Sequence, residues 1–200
     1  MKPFALVCLV STVLISGCNS KHYLASGIAP ATASGDVSRV ENNGNKRGGV
    51  VKDARGFGYA YEAGDYAHGE GFAAFAGLLP GTELGELPTR GSATMTGRYE
   101  AAEIRNIKLN GNQLSGLNKT YGGDVTVTVD FASATLNGTS KDGRLQIDGD
   151  IHKGGSFSGN SSFKVGSGRT EGVIDGKEVI GAFSGASDTS LYAGGFTAKK

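Results

Sequence analysis

The chain has 200 residues and a formal net charge of +1, with 34 glycines, 4 prolines and no tryptophan. A chain so close to neutral lacks the basic surface that nucleic-acid binding needs. The glycines keep no three-residue period, which excludes a collagen-like chain, and apolar residues recur up to the C-terminus, which argues against disorder. The length suits one folded domain, or one domain with a small appendage.

The N-terminal residues have the pattern of a cleaved signal. The apolar run from Pro3 to Ile15 is too short to span a bilayer, which takes about 20 residues. It ends in Leu14-Ile15-Ser16-Gly17-Cys18, which resembles the lipobox of bacterial lipoproteins. The resemblance implies a signal peptide over residues 1–17 and a new N-terminal Cys18 that carries several acyl chains such as palmitate, enough for stable anchoring. The alternative is an ordinary secretory signal with an incidental cysteine.

The residues around the cleavage point predict location and redox state. Asn19 stands where an aspartate, in such lipoproteins, would direct retention at the inner membrane, so the resemblance implies the outer membrane. Cys8 lies in the leader, so the mature chain has no disulfide. Loss of Lys2 leaves equal numbers of acidic and basic side chains, with no basic stripe. Contact with the membrane is therefore expected through the lipid on Cys18 alone.

Two short segments precede the main domain. Residues 18–46 are rich in Ser, Asn, Gly and Ala and predict a flexible, lipidated tether. Residues 47–89 predict a small N-terminal β region with the candidate strands Gly49–Lys52, Phe57–Glu62 and Gly71–Leu79.

Residues 90–200 predict a soluble, eight-stranded antiparallel β-barrel, so the fold class is all-β. In Asp124–Phe131 every second residue is apolar, which places one face in the core and the other in water. The polar outward positions argue against a membrane-spanning barrel. The candidate strands are Ala93–Tyr99, Asp124–Phe131, Ala134–Ser140, Leu145–Ile151, Ser156–Phe163, Arg169–Ile174, Glu178–Phe183 and Tyr192–Ala198. The expected interior residues are Val125, Val127, Val129, Phe131, Leu145, Ile147 and Ile151.

Five runs in this region resemble the β-barrel domain of transferrin-binding protein B. They are residues 87–97, 127–138, 151–159, 172–183 and 194–200. Members of that family are outer-membrane surface lipoproteins in which a handle region precedes a barrel. They bind host iron proteins, haemoglobin or haem. The resemblance implies a binding module for iron acquisition that delivers its ligand to an outer-membrane transporter. A structural or shielding envelope lipoprotein without a small ligand is the alternative.

One aromatic group predicts a haem site. Tyr59, Tyr61, Tyr66 and His68 lie close together in sequence. Tyrosine and histidine are axial ligands of haem iron, and aromatic faces pack against the macrocycle. The alternative is that Tyr59 and Tyr61 pack one face of a small sheet while Tyr66 and His68 flank a loop.

Other patterns predict little chemistry. Asp148, Asp150 and His152 alternate along one strand, so they share a face that could hold a cation, although a solvated outer face is favoured. Residues 101–122 form a long connection, which predicts either a functional loop with its own element or, from Ile104 and its apolar neighbours, an extra strand. No nucleophile, acid and base pattern is present, so the chain is predicted not to be an enzyme.

Overall fold

Thirteen β-strands make up the part of the chain that the computed structural model describes, residues 11–15 and 22–200. They are β1 (Ser11–Ile15), β2 (His22–Ile28), β3 (Arg47–Lys52), β4 (Gly58–Asp65), β5 (Gly71–Leu78), β6 (Ser92–Asn110), β7 (Gln113–Asp130), β8 (Thr135–Ser140), β9 (Leu145–Ile151), β10 (Ser156–Phe163), β11 (Gly166–Ile174), β12 (Glu178–Ser187) and β13 (Ser190–Lys199). The first five form a sheet in the order β1-β2-β5-β4-β3, and the other eight form a closed barrel. The predicted all-β class and eight-stranded barrel are confirmed.

The barrel closes because its first and last strands pair. β6 and β13 are antiparallel neighbours from Thr96↔Lys199 to Arg105↔Ser190. All seven predicted interior residues are buried. The ring of Phe163 lies 5.4 to 6.3 Å from four other aromatic rings, which fill the barrel near one mouth. Closure thus gives every barrel strand a partner on both sides, except along the β6–β7 extension, and side chains occupy the interior. No helix in the described ranges has the length and hydropathy to span a membrane.

The long connection at residues 101–122 is a hairpin. β6 and β7 pair as far as Asn110↔Gln113, whereas β8 pairs with β7 only as far as Val125. The hairpin therefore projects beyond the rest of the barrel. Ile104 and Ile107 continue β6 and are buried against the N-terminal sheet. The expected functional loop is absent from this segment, and the apolar residues that suggested an extra strand belong to the extension of β6.

The predicted flexible tether is wrong for residues 22–46. β2 pairs in parallel with β5, and Ala25, Val37 and Val40 are buried under the outer face of the sheet. The backbone hydrogen bonds from β5, which composition does not reveal, fix this segment. Cys18 and most of the predicted signal peptide lie outside the described residues. The exception within that peptide is β1, which pairs with β2.

The sheet packs on the outside of the barrel, over β12, β13 and β6. The Tyr59 ring lies so close to Gly195 that a Cβ there would come within 2.3 Å of it. The buried Ser184 hydroxyl accepts a hydrogen bond from Gly27 N–H (3.0 Å) and donates one to the Ala74 carbonyl (2.8 Å). The Arg55 guanidinium lies 2.5 Å from the Glu178 carboxylate. Apolar contact, hydrogen bonds and an ion pair therefore fix the sheet on the barrel.

We expect Gly195→Ala to lower the free energy of unfolding by about 1 to 3 kcal/mol, because the new methyl displaces the buried Tyr59 ring. Gly44→Ala is the matched control, since a Cβ at Gly44 meets nothing within 4 Å. Urea denaturation of both variants measures the difference. Equal stability of the two variants would contradict the tight contact.

Candidate functional site

The four residues predicted to bind haem do not form one site. Tyr59 and Tyr61 face the barrel and are 1% and 4% exposed. The Tyr61 hydroxyl donates a hydrogen bond to Glu100 at 2.9 Å. Burial, together with this bond to Glu100, raises the pKa of Tyr61. Tyr66 packs on the opposite face of the sheet, so the alternative in which Tyr59 and Tyr61 pack one face describes the structure.

Tyr66 and His68 remain together at the hairpin end of the sheet. Their ring centroids are 5.7 Å apart in an edge-on contact, and the ring of Tyr23 lies 5.7 Å from that of Tyr66. An open cleft of about 360 Å³ adjoins this group, between the β4–β5 connection and the tip of the β6–β7 hairpin. Three carboxylates line the cleft, those of Glu41, Asp65 and Glu70. Such a lining disfavours an anionic ligand.

The alternating acidic row lies on the outer surface, as its favoured interpretation predicts. Asp148, Asp150 and His152 are exposed on or just after β9. The Asp148 carboxylate accepts a hydrogen bond from Asn160 at 3.1 Å, and His152 Nε2 lies 2.8 Å from the Ser158 hydroxyl. Within residues 11–15 and 22–200, no three His, Cys, Asp or Glu side chains are placed to hold a metal ion.

A largely apolar cavity lies where the sheet ends over the barrel. We call it the junction groove, a space of about 510 Å³ between the loops that follow β2 and β5 and the outer faces of β10 and β11. One wall is formed by Ile28, Ala29, Pro30, Gly77, Leu78, Leu79 and Pro80, and the other by Phe157, Gly172 and Val173. The polar members of the lining are His152, Ser156, Ser158 and Glu171.

The groove exists because the sheet covers only part of the barrel. β5 lies over β12 and β13, and β2 crosses β12 and reaches β11. The outward residues of β10 and part of β11 are left uncovered beside the sheet. Burial raises the pKa of Glu171, and the charge of Arg169 opposes this. A half-buried carboxyl group beside apolar walls can accept or donate a hydrogen bond to a bound group. Sequence reasoning missed this site because its walls come from four segments that are distant in sequence.

The opposite end of the barrel carries a charged cluster around Tyr121. The Lys164 ammonium lies 4.1 Å from the centre of that ring and 2.5 Å from the Glu103 carboxylate. At the same mouth the carboxylate of Asp142 accepts hydrogen bonds from Ser140, Tyr99 and Arg144.

These contacts set the ionisation of two groups. Burial alone would raise the pKa of Asp142, but hydrogen bonds from Ser140 and Tyr99 and the charge of Arg144 outweigh it and lower the pKa to about 2. Burial and the bond to Asp142 raise the pKa of Tyr99 to about 12. At physiological pH the Asp142 carboxyl group is therefore ionised, and the Tyr99 hydroxyl group keeps its proton.

The chain is similar to solved structures of transferrin-binding protein B and of a haemoglobin receptor, while no family model and no curated protein matches it. One is intact Ap-TbpB with N and C lobes, at 13% identity over 80% of this chain and 39% of that one, with a TM-score of 0.47. Another is isotype 1 transferrin-binding protein B of Neisseria meningitidis, at 16% identity, 95% and 43% coverage and a TM-score of 0.45. The third is the haemoglobin receptor HpuA of Kingella denitrificans, at 18% identity, 74% and 56% coverage and a TM-score of 0.36. The chain spans less than half the length of the first two.

We expect Asp142→Asn to lower stability by about 1 to 2 kcal/mol at pH 7, because the depressed pKa of Asp142 stabilises the fold only while the carboxyl is ionised. That contribution is present above pH 4 and falls away as the pH drops towards the folded pKa of about 2. Thermal unfolding at several pH values measures it, with Asp150→Asn on the exposed face of β9 as control. A gap between wild type and Asp142→Asn that persists unchanged at the lowest pH would contradict this account.

Proposed function

We propose that this chain is an outer-membrane surface lipoprotein, anchored through Cys18, that works as a binding module for haem or an iron-carrying protein. In this proposal it passes its ligand to an outer-membrane transporter, and it catalyses no reaction. The junction groove holds the apolar part of the ligand. The similar structures are of transferrin-binding proteins and a haemoglobin receptor, which supports a binding role.

The size and lining of the junction groove carry the proposal. Small-molecule sites in proteins measure about 300 to 1,000 Å³ and combine apolar walls with a few polar groups. The groove has about 510 Å³ and ten apolar or glycine residues in its lining, against four polar ones. Strands of the barrel support one wall and the ends of β2 and β5 the other, so the site needs no folding on binding.

Haem suits this groove chemically. It is a flat apolar macrocycle whose iron takes histidine as an axial ligand. His152 stands at the edge of the groove, with Ser158 2.8 Å from its Nε2 atom. For an iron-carrying protein, an apolar side chain of the partner would occupy the same space, since buried anchors dominate protein interfaces.

A second haem position is the Tyr66–His68 pair. The edge-on contact of the two rings favours it, because it holds both candidate ligands at one surface. The carboxylates of the neighbouring cleft disfavour the haem propionates there. The junction groove is therefore the preferred site.

We expect haemin to bind the full chain one-to-one with a saturable shift of its Soret band, and Ser158→Trp to abolish the shift by filling the groove. Asn160→Trp is the matched control, since Asn160 lies two residues further along the outer face of β10 and outside the groove. His152→Ala and His68→Ala, titrated in parallel, identify the axial ligand.

The same variants test a protein ligand. Immobilised chain is exposed to haemoglobin and to transferrin, and Ser158→Trp should weaken the interaction at least tenfold while Asn160→Trp leaves it unchanged. Absence of binding to haemin and to both proteins would refute the binding module and leave the shielding lipoprotein as the alternative. Equal loss in both tryptophan variants would remove the groove from the proposal.

A further inference from the structure

One end of the barrel concentrates exposed apolar residues. We call it the turn rim. It consists of the projecting β6–β7 hairpin, residues 105–121, and the β8–β9, β10–β11 and β12–β13 turns at residues 141–144, 164–165 and 188–189. The described residues contain four exposed large apolar side chains, and three lie here: Val165 is 90% exposed, Leu117 55% and Leu109 44%. Three exposed apolar side chains at one end of the barrel make this end a candidate contact surface.

The turn rim is also basic. Lys164 and Arg144 pair with Glu103 and Asp142, so these four charges cancel. Three further lysines, Lys108, Lys119 and Lys141, are exposed, and no carboxylate of the described residues pairs with them.

Two further charges lie at the turn rim. The Nε atom of Arg105 is buried without a hydrogen-bond partner in the described part of the chain. Among the described residues, the negative charge at the rim that has no ion-pair partner is Asp188, in the β12–β13 turn. Asp124, which is also close, pairs with Arg98 at 3.6 Å. The four cations of the turn rim therefore outnumber Asp188, while the cleft at the hairpin tip adds three carboxylates beside them.

The N-terminal segment enters the fold at this end. β2 begins with His22, and the next residue, Tyr23, pairs with Gly71. Gly71 shares the acidic cleft with Asn112 and Gln113 at the hairpin tip. Cys18 precedes His22 by four residues, which span at most about 14 Å when fully extended. A lipid on Cys18 would therefore hold this end of the molecule near the bilayer.

We propose that the turn rim docks on the anionic surface of the membrane in which the lipid of Cys18 is inserted. This inference rests on the proposed lipid anchoring. The lysines attract lipid phosphates, and Val165 and Leu117 enter the headgroup region. The proposed contact is made by the turns and the barrel side of the hairpin, and not by the cleft that Glu41, Asp65 and Glu70 line. The junction groove, at the other end, faces away from the membrane and is open to ligands.

The test uses the mature chain, residues 18–200, carrying Cys18→Ser, so that neither the apolar leader nor the lipid contributes and the rim is the source of affinity. Vesicles of equal parts phosphatidylglycerol and phosphatidylcholine are compared with pure phosphatidylcholine in a sedimentation assay. We expect binding to the anionic vesicles only, weakened by added salt. Lys108→Glu with Lys119→Glu should lower the partition coefficient about tenfold, and Val165→Asp should lower it as well.

The matched control is Lys153→Glu with Lys177→Glu, the same charge change in the turns at the opposite end of the barrel. It should leave vesicle binding unchanged. No binding to anionic vesicles, or equal loss in the control, would overturn the proposal, as would a rim that binds an acidic protein and no vesicle. Haemin titration of these same variants is independent of this result, so failure of the docking surface and failure of the ligand site are distinguishable.

Discussion

The contact between the N-terminal sheet and the outside of the barrel determines most of what this molecule can do. Tyr59 reaches full burial only because Gly195 leaves room for its ring. The same packing covers the outward residues Ile180, Ala182 and Ala193, which would otherwise form an exposed apolar patch. It also fixes where the sheet stops, and that boundary creates the junction groove. Removal of the contact would therefore cost both stability and the candidate binding site.

The barrel was predictable because its signal is local. Alternation in Asp124–Phe131 assigns each side chain to one face, and the observed burial of β7 follows it residue by residue. Residues 22–46 offered no such signal. Their order comes from parallel pairing with β5, more than forty residues away, and from small side chains such as Ala25 that pack without a conspicuous apolar pattern. Composition indicates how much conformational entropy a segment loses on ordering. It does not reveal which strand will pair with that segment and offset the loss.

The candidate site was less accessible from the sequence. Strand periodicity alone separates Tyr59 and Tyr61 from Tyr66, since odd and even positions of β4 face opposite sides. The placement of these tyrosines on opposite faces could therefore be predicted once Gly58–Asp65 was recognised as a strand. The junction groove could not be predicted from the sequence, because Leu78 and Val173 come together only after the sheet has packed on the barrel. Long-range packing, rather than any motif, produces this site.

The pairing of β6 with β13 has a consequence for how the molecule forms. These are the first and last strands of the barrel, and the other six strands lie between them in sequence. Thr96 can therefore pair with Lys199 only after β13 has been synthesised. Until then the ten residues of β6 from Thr96 to Arg105 keep one edge open, and such edges pair with other chains. Topologies dominated by contacts of this kind fold slowly. A truncated or stalled chain would thus be exposed to misassembly, and the final strand acts as the closing step of the fold.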